Sequence, residues 1–260
     1  MRIMIFTQEE PFYLPIFMSK VFSVRKEDII GMVILSPIPL NRTWFSTIKE
    51  LIYMYGIFIF LSQSLRFVSY KILDILISII KTKRFYSVKS VAKRYRVPIY
   101  KPERINSNDF LQLLRSLKPD VIVSVNSPQI FKKTLITLPP LGCINVHGAL
   151  LPKYRGMLPS FWVLANGEKE TGVTVHYMDE KLDNGDIILQ EKVTITPDDT
   201  QHTLILKNKK LGAELLLQAL DQIEDRTVST KPNNAEDATF FSLPTKADVE
   251  KFRRQGRKFR

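Results

Sequence analysis

The segment Asn145-Val146-His147 sets an amide and an imidazole two positions apart at the end of an apolar run. On a strand, such residues leave on the same face, so the two side chains would stand together. An amide donor beside an imidazole is suited to holding an oxyanion and relaying a proton. Gly148, Leu150-Leu151-Pro152 and Tyr154-Arg155-Gly156 follow, a loop of turn formers. The histidine of such a pair needs a carboxylate to orient and charge-balance it. Met178 to Asp186, with Asp179, Glu180, Asp183 and Asp186 around Asn184-Gly185, is the obvious source. Each feature alone also has a plainer reading, as a hydrogen-bonded core histidine and a solvated turn.

The flanking sequence must place these groups. Arg2 to Thr7, Ile29 to Leu35, Val97 to Tyr100, Asp120 to Val125 and Gly142 to His147 read as strands; the most apolar of them lack polar alternation, which suits burial on both faces. Helical segments are expected at Leu14 to Val24, across Trp44 to Lys83, at Val91 to Tyr95 and at Asn106 to Leu117, where Asn108 can cap. Alternation of this kind predicts an α/β fold, a mostly parallel twisted sheet with helices on both faces. Ligands on such sheets sit beyond the carboxyl ends of the strands, which is where His147 falls. Gly172 to Met178 and Asp186 to Ile195 alternate better and are expected as an antiparallel edge. A long helix should run from about Thr200, capped by Asp198 or Asp199, to Arg226. The residues after Arg226 read as a short, basic, partly ordered extension, giving a main domain over 1–226 and an extension over 227–260.

The apolar share of 45% and charged share of 25% fit a globular protein with a sizeable core. The net charge of +12 favours anionic partners without choosing among them; much of it lies in Lys81 to Arg104 and Lys251 to Arg260. Cys143 is the single cysteine and excludes both an internal disulfide and a cysteine-rich zinc site. No metal site, Gly-x-Gly-x-x-Gly turn or Walker-type loop is present in the sequence. The N-terminus carries no signal-peptide pattern, so a cytoplasmic location is expected. Leu51 to Leu65 carries no formal charge but is shorter than the ~20 residues of a spanning helix. A buried helix or helix pair is its expected form, with peripheral membrane contact through 51–80 as the alternative.

Leu141 to Pro152 followed by Tyr154-Arg155-Gly156 closely resembles the signature of the 10-formyltetrahydrofolate-dependent formyltransferases, above all the catalytic domain of methionyl-tRNA formyltransferase. Thr171-Gly172-Val173-Thr174 and Leu182-Asp183-Asn184-Gly185-Asp186-Ile187 resemble its second signature, in the same order and similar spacing. Clear resemblance covers about 121–200. It implies a formyltransferase-type Rossmann-like fold and a catalytic trio of Asn145, His147 and Asp183. It implies 10-formyltetrahydrofolate as co-substrate, with its pterin between Gln129-Ile130-Phe131 and Met178-Asp179-Glu180-Lys181-Leu182; ordinary core packing is the competing reading for those side chains. Ala149 stands where these relatives usually carry Ser, and the apolar 44–83 region reads as a helical insertion.

The resemblance leaves the amine acceptor open. A small amine, most plausibly a nucleotide-linked amino sugar, is the leading expectation, because the residues after Arg226 are too few for the C-terminal barrel of methionyl-tRNA formyltransferases. Methionyl-tRNA is the alternative acceptor, with the basic tail substituting for the barrel. A non-catalytic folate-binding or membrane-docked module is a further alternative. Glycinamide ribonucleotide is disfavoured, since Phe6 to Glu10 lacks the small turn expected to cradle its phosphate. The sequence does not set the oligomeric state.

Overall fold

The computed structural model describes residues 1–37, 43–77 and 84–260. The chain opens with β1 (Ile3–Gln8), α1 (Leu14–Arg25) and β2 (Ile29–Leu35). The helices α2 (Trp44–Tyr55), α3 (Ile57–Ile77) and α4 (Val88–Arg94) follow, then β3 (Ile99–Tyr100), α5 (Asn108–Leu117) and β4 (Val121–Ser124). Next come α6 (Lys133–Ile136), β5 (Cys143–His147), β6 (Arg155–Gly156), α7 (Pro159–Ala165), β7 (Glu170–Tyr177) and β8 (Ile187–Thr194). The last elements are α8 (Gln201–Glu224), β9 (Phe240–Phe241) and α9 (Lys246–Arg254).

Seven strands form one sheet in the order β3-β2-β1-β4-β5-β7-β8. The first five run parallel, and β7 and β8 join antiparallel on the β5 side. Alternating side chains of β1 feed two cores. Ile3 and Ile5 pack with α1, α4 and α8 on one face, while Met4 and Phe6 pack with α5 and Leu135 of α6 on the other. A third cluster joins Met54 of α2, Phe161 of α7, Leu204 of α8 and Phe252 of α9. The predicted parallel sheet and its antiparallel edge are both present.

Several local expectations are revised. Ser107, not Asn108, is the N-cap of α5. Thr200 caps α8 through a reciprocal pair with Thr203, and neither Asp198 nor Asp199 does so. Asp199 instead accepts from Lys207 Nζ at 2.6 Å. The long apolar segment is two helices bent by 120° at Gly56, and the expectation of burial fails, since Phe45, Phe58 and Leu65 are strongly exposed. Among the described residues no single helix is long and apolar enough to cross a membrane. The predicted helical run over 78–83 lies outside the described residues.

The segment after Arg226 is built into the body. Strand β9 pairs with β6, and Phe252 and Phe259 stack on Phe161 at 4.8 and 6.1 Å between ring centroids. The carbonyls of Lys258 and Phe259 accept the Gln201 and His202 amides at 2.9 and 3.0 Å. The first turn of a helix leaves its amides without intrahelical partners, so the chain's last residues complete the start of α8.

Candidate active site

Asn145 and His147 leave the same face of β5 at the carboxyl edge of the sheet, and the β7–β8 turn brings Asp183 to them. Asn145 Nδ2 donates to Asp183 Oδ1 at 3.4 Å, and His147 Nδ1 lies 3.6 Å from Asp183 Oδ2. His147 is 6% exposed. Its Nε2 sits 2.8 Å from the Tyr154 carbonyl, an oxygen that can only accept, so Nε2 carries hydrogen. Nδ1 is therefore the ring atom left for the carboxylate and for a reacting group.

Asp183 is held in a left-handed conformation at φ +48°. Non-glycine residues rarely adopt this region, and strain of this kind costs on the order of 1–3 kcal/mol. The surroundings fix it. The Gly156 amide donates to Asp183 Oδ2 at 2.8 Å, and Asn233 Nδ2 donates to the Asp183 and Gly185 carbonyls at 2.9 and 3.1 Å. A Cβ on Gly185 would lie 2.1 Å from the Tyr177 carbonyl oxygen, so the turn closes tightly only with glycine there.

Three contributors escaped sequence reading. His176 is the cross-strand partner of Asn145, and its Nε2 lies 3.2 Å from Asn145 Nδ2 and 3.8 Å from Asp183 Oδ1. Burial pushes its imidazole down to about 4, against the pull of the Asp183 charge. The period-2 alternation of Thr174, His176 and Met178 was the signal that could have placed it on the site face. Arg155 is 1% exposed; it donates to Asn184 Oδ1 at 2.7 Å and to the Asn233 carbonyl and side-chain oxygens at 3.1 and 2.7 Å. Arg155 and Asn233 thus tie the acidic turn to β6, and no local pattern around Asn233 announces this.

The two segments assigned to the folate also meet. Lys133, just after the 129–131 loop, pairs with Glu180 of the turn at 3.4 Å. Gln129 ties its loop to residues 103–105, accepting from the Ile105 amide and donating to the Glu103 carbonyl. Ile130 is 76% exposed, whereas Phe131 is buried against Phe6 at 5.1 Å. The Phe131 ring therefore packs in the core and offers no free face for stacking. Met178 is half-buried against the same core and donates its amide to Cys143. Asp179 caps its own turn by accepting from the Lys181 amide and Asn184, while Lys181 and Leu182 are exposed.

Ala149, fully buried, contributes through its backbone: its carbonyl accepts from Thr174 Oγ1 at 2.7 Å. Gly148 is held likewise, by Asn208 at 3.0 Å. Cys143 is buried and its thiol is pushed up to about 12 by burial, so it is a packing residue and no nucleophile. The α1 N-terminus is closed by Glu10, whose carboxylate accepts the Phe12, Tyr13 and Leu14 amides. An anion at that helix end would compete with a carboxylate already in place.

Residues 75–220 match the formyl transferase family model. The chain belongs to the formyl transferase family. A methionyl-tRNA formyltransferase of Kosmotoga olearia is 42% identical over 162 residues, covering 62% of this chain and 52% of the relative. The chain spans about half the length of the curated relatives it matches. Among solved structures, the N-formyltransferase from Helicobacter canadensis in complex with folinic acid and dTDP-3-aminofucose superposes with a TM-score of 0.60 at 16% identity, covering 97% of this chain and 79% of that one. A phosphoribosylglycinamide formyltransferase from Anaplasma phagocytophilum gives 0.60 at 15% identity, over 93% of this chain and 99% of that one. At these identities the superpositions speak for the fold, which is that of the formyltransferases.

Proposed function

We propose that the chain transfers the formyl group of 10-formyltetrahydrofolate to a primary amine, using Asn145, His147 and Asp183. The observation that carries this reading is the convergence of those three side chains at the carboxyl edge of a formyl transferase fold. The amine nitrogen attacks the formyl carbon, and negative charge gathers on the formyl oxygen. The Asn145 amide and a proton on His147 Nδ1 stabilise that oxygen. Asp183, within 3.6 Å of the ring, balances the imidazolium. Collapse breaks the bond from carbon to folate N10, N10 takes up a proton, and the amine loses one.

The folate pterin is assigned to the gap between 129–131 and 178–182, where Ile130 offers open apolar surface and the turn offers backbone groups. Loss of Phe131 to the core leaves Ile130, Met178 and Leu182 as its apolar contacts. No nucleotide cofactor or metal is invoked in this reading.

Methionyl-tRNA moves ahead of the amino sugar nucleotide as the acceptor. The 42% identity to a methionyl-tRNA formyltransferase favours it, while the sugar N-formyltransferases resemble the chain at the level of fold. The occupied α1 N-terminus argues against a ribonucleotide phosphate beside β1. Incubating the protein with 10-formyltetrahydrofolate and each amine in turn tests the acceptor. Formyl-methionyl-tRNA as the main product supports the reading; formylation of an amino sugar nucleotide alone would overturn that choice of acceptor.

A further inference from the structure

The helix α3 is inside out. Its inward side carries Gln63, Arg66, Tyr70 and Asp74, where Arg66 donates to the Tyr70 hydroxyl and lies over Phe12, and Ser87 donates to Asp74 at 2.7 Å. Its outward side carries Phe58, Leu61, Leu65, Val68, Ile72 and Ile75, with Lys71 as the charged residue among them. Phe58 is 85% and Leu65 73% exposed. At the start of α2, Phe45 and Trp44 are 87% and 69% exposed. Fourteen of the twenty-one exposed large apolar side chains among the described residues lie between Trp44 and Leu76. Scattered exposed apolar residues need no explanation, but a contiguous stripe marks a contact surface.

The charge that follows the stripe in the sequence says what covers it. Between Asp74 and Glu103 the sequence carries eight Lys and Arg residues and no acid. Of these, Lys89, Lys93 and Arg94 are exposed on or at the end of α4, whose first turn is tied to the loop after β1 by Glu9. A second copy of this chain would bring the same positive field to the interface and be repelled. An anionic bilayer supplies both an apolar layer for the stripe and negative headgroups for the cations.

We propose that α2 and α3 lie in the interface of an anionic membrane, apolar side down, with Lys89, Lys93 and Arg94 of α4 on the headgroups. The inference does not depend on the formyl-transfer reading. Among the described residues no single helix is both long and apolar enough to cross a membrane, and α3 keeps Arg66 and Asp74 bonded on its inward side, which favours a peripheral contact over a span. The bend at Gly56 lets both helices present their apolar faces without one continuous span.

The test is flotation of the full chain with vesicles of phosphatidylcholine, or of phosphatidylcholine with added phosphatidylglycerol. The protein is expected to float with the anionic vesicles, less so as salt is raised, and to stay below the neutral ones. Phe45→Ser, Phe58→Ser and Leu65→Ser together should cut partitioning at least tenfold. These side chains are exposed, so an unchanged circular dichroism spectrum is expected alongside. Lys89→Glu with Lys93→Glu should abolish the preference for anionic lipid. Trp44 emission should shift to the blue on vesicle addition, and the shift should be missing in Trp44→Phe. No flotation by the wild type would overturn the proposal, as would undiminished flotation of the triple variant. A vesicle-free dimer that the triple variant dissociates, without flotation, would overturn it in favour of a second copy.

Discussion

The Gly156 amide donates to Asp183 Oδ2 at 2.8 Å, and the same oxygen faces His147 Nδ1 at 3.6 Å. The loop after β5 thus orients the carboxylate that faces its own strand's histidine. This couples the two sequence signatures into one unit, and under the proposed function it makes the loop's geometry part of the chemistry.

Gly156 itself is the most direct probe of that coupling. Its φ is +99°, and a Cβ there would fall 2.2 Å from the Phe241 carbonyl oxygen. Gly156→Ala should therefore destabilise the protein by about 2 kcal/mol or more, since backbone and not a flexible side chain must move. Chemical denaturation of the two proteins measures the difference. Equal midpoints would show that β6 and β9 separate easily.

His176 makes stability depend on pH. Its folded pKa, about 4, lies below the ordinary value of 6.5, so the unfolded chain binds more protons between those values. Stability is then fully present above about pH 6.5 and declines as pH falls towards 4, with a slope of at most about 1.4 kcal/mol per pH unit. Urea midpoints across this window should be flatter in His176→Gln than in the wild type. A parallel pair of curves would assign the pH dependence to other groups.

Asn233 tests whether the segment after Arg226 serves the site. Asn233→Ala removes two bonds to the acidic turn and leaves the buried Arg155 short of a partner. A loss of about 1–3 kcal/mol is expected, with turnover falling further than stability alone explains. Turnover unchanged at a temperature where the variant is folded would separate the turn's anchoring from the catalytic role proposed for it.

Phe252→Ala should cost about 3–5 kcal/mol, because the ring is wholly buried against Phe161 and Phe259. Thermal unfolding would show it. This also decides how the basic C-terminal residues should be probed for nucleic-acid binding. Deleting 251–260 removes Phe252 and Phe259 from the core, so charge reversals at the exposed Lys251 and Arg254 are the informative variants.

Much of this was legible in the sequence because the signals were local. Unbroken apolar runs such as Ile29–Leu35 announce strands buried on both faces, and the spacing of Asn145 and His147 fixes their shared direction. Asp183 was legible through its motif, not its surroundings. What escaped depends on distant chain: Asn233 reaches the turn across about fifty residues, and His176 reads as one more strand residue until β7 is laid against β5. The apolar 44–77 segment misled for a related reason. Hydrophobicity alone predicts burial, and only the bonding of Arg66 and Asp74 on the inward side shows that the apolar side of α3 faces out.

The central claim is that Asn145, His147 and Asp183 carry formyl transfer, and single-turnover formation of formylated amine from 10-formyltetrahydrofolate tests it most directly. Wild-type protein, Asn145→Ala, His147→Ala and Asp183→Asn would be compared with methionyl-tRNA as acceptor. The account predicts measurable transfer by the wild type and a loss on the order of 10²–10³ in each variant, with folate binding retained. Variants that turn over as fast as the wild type would contradict it.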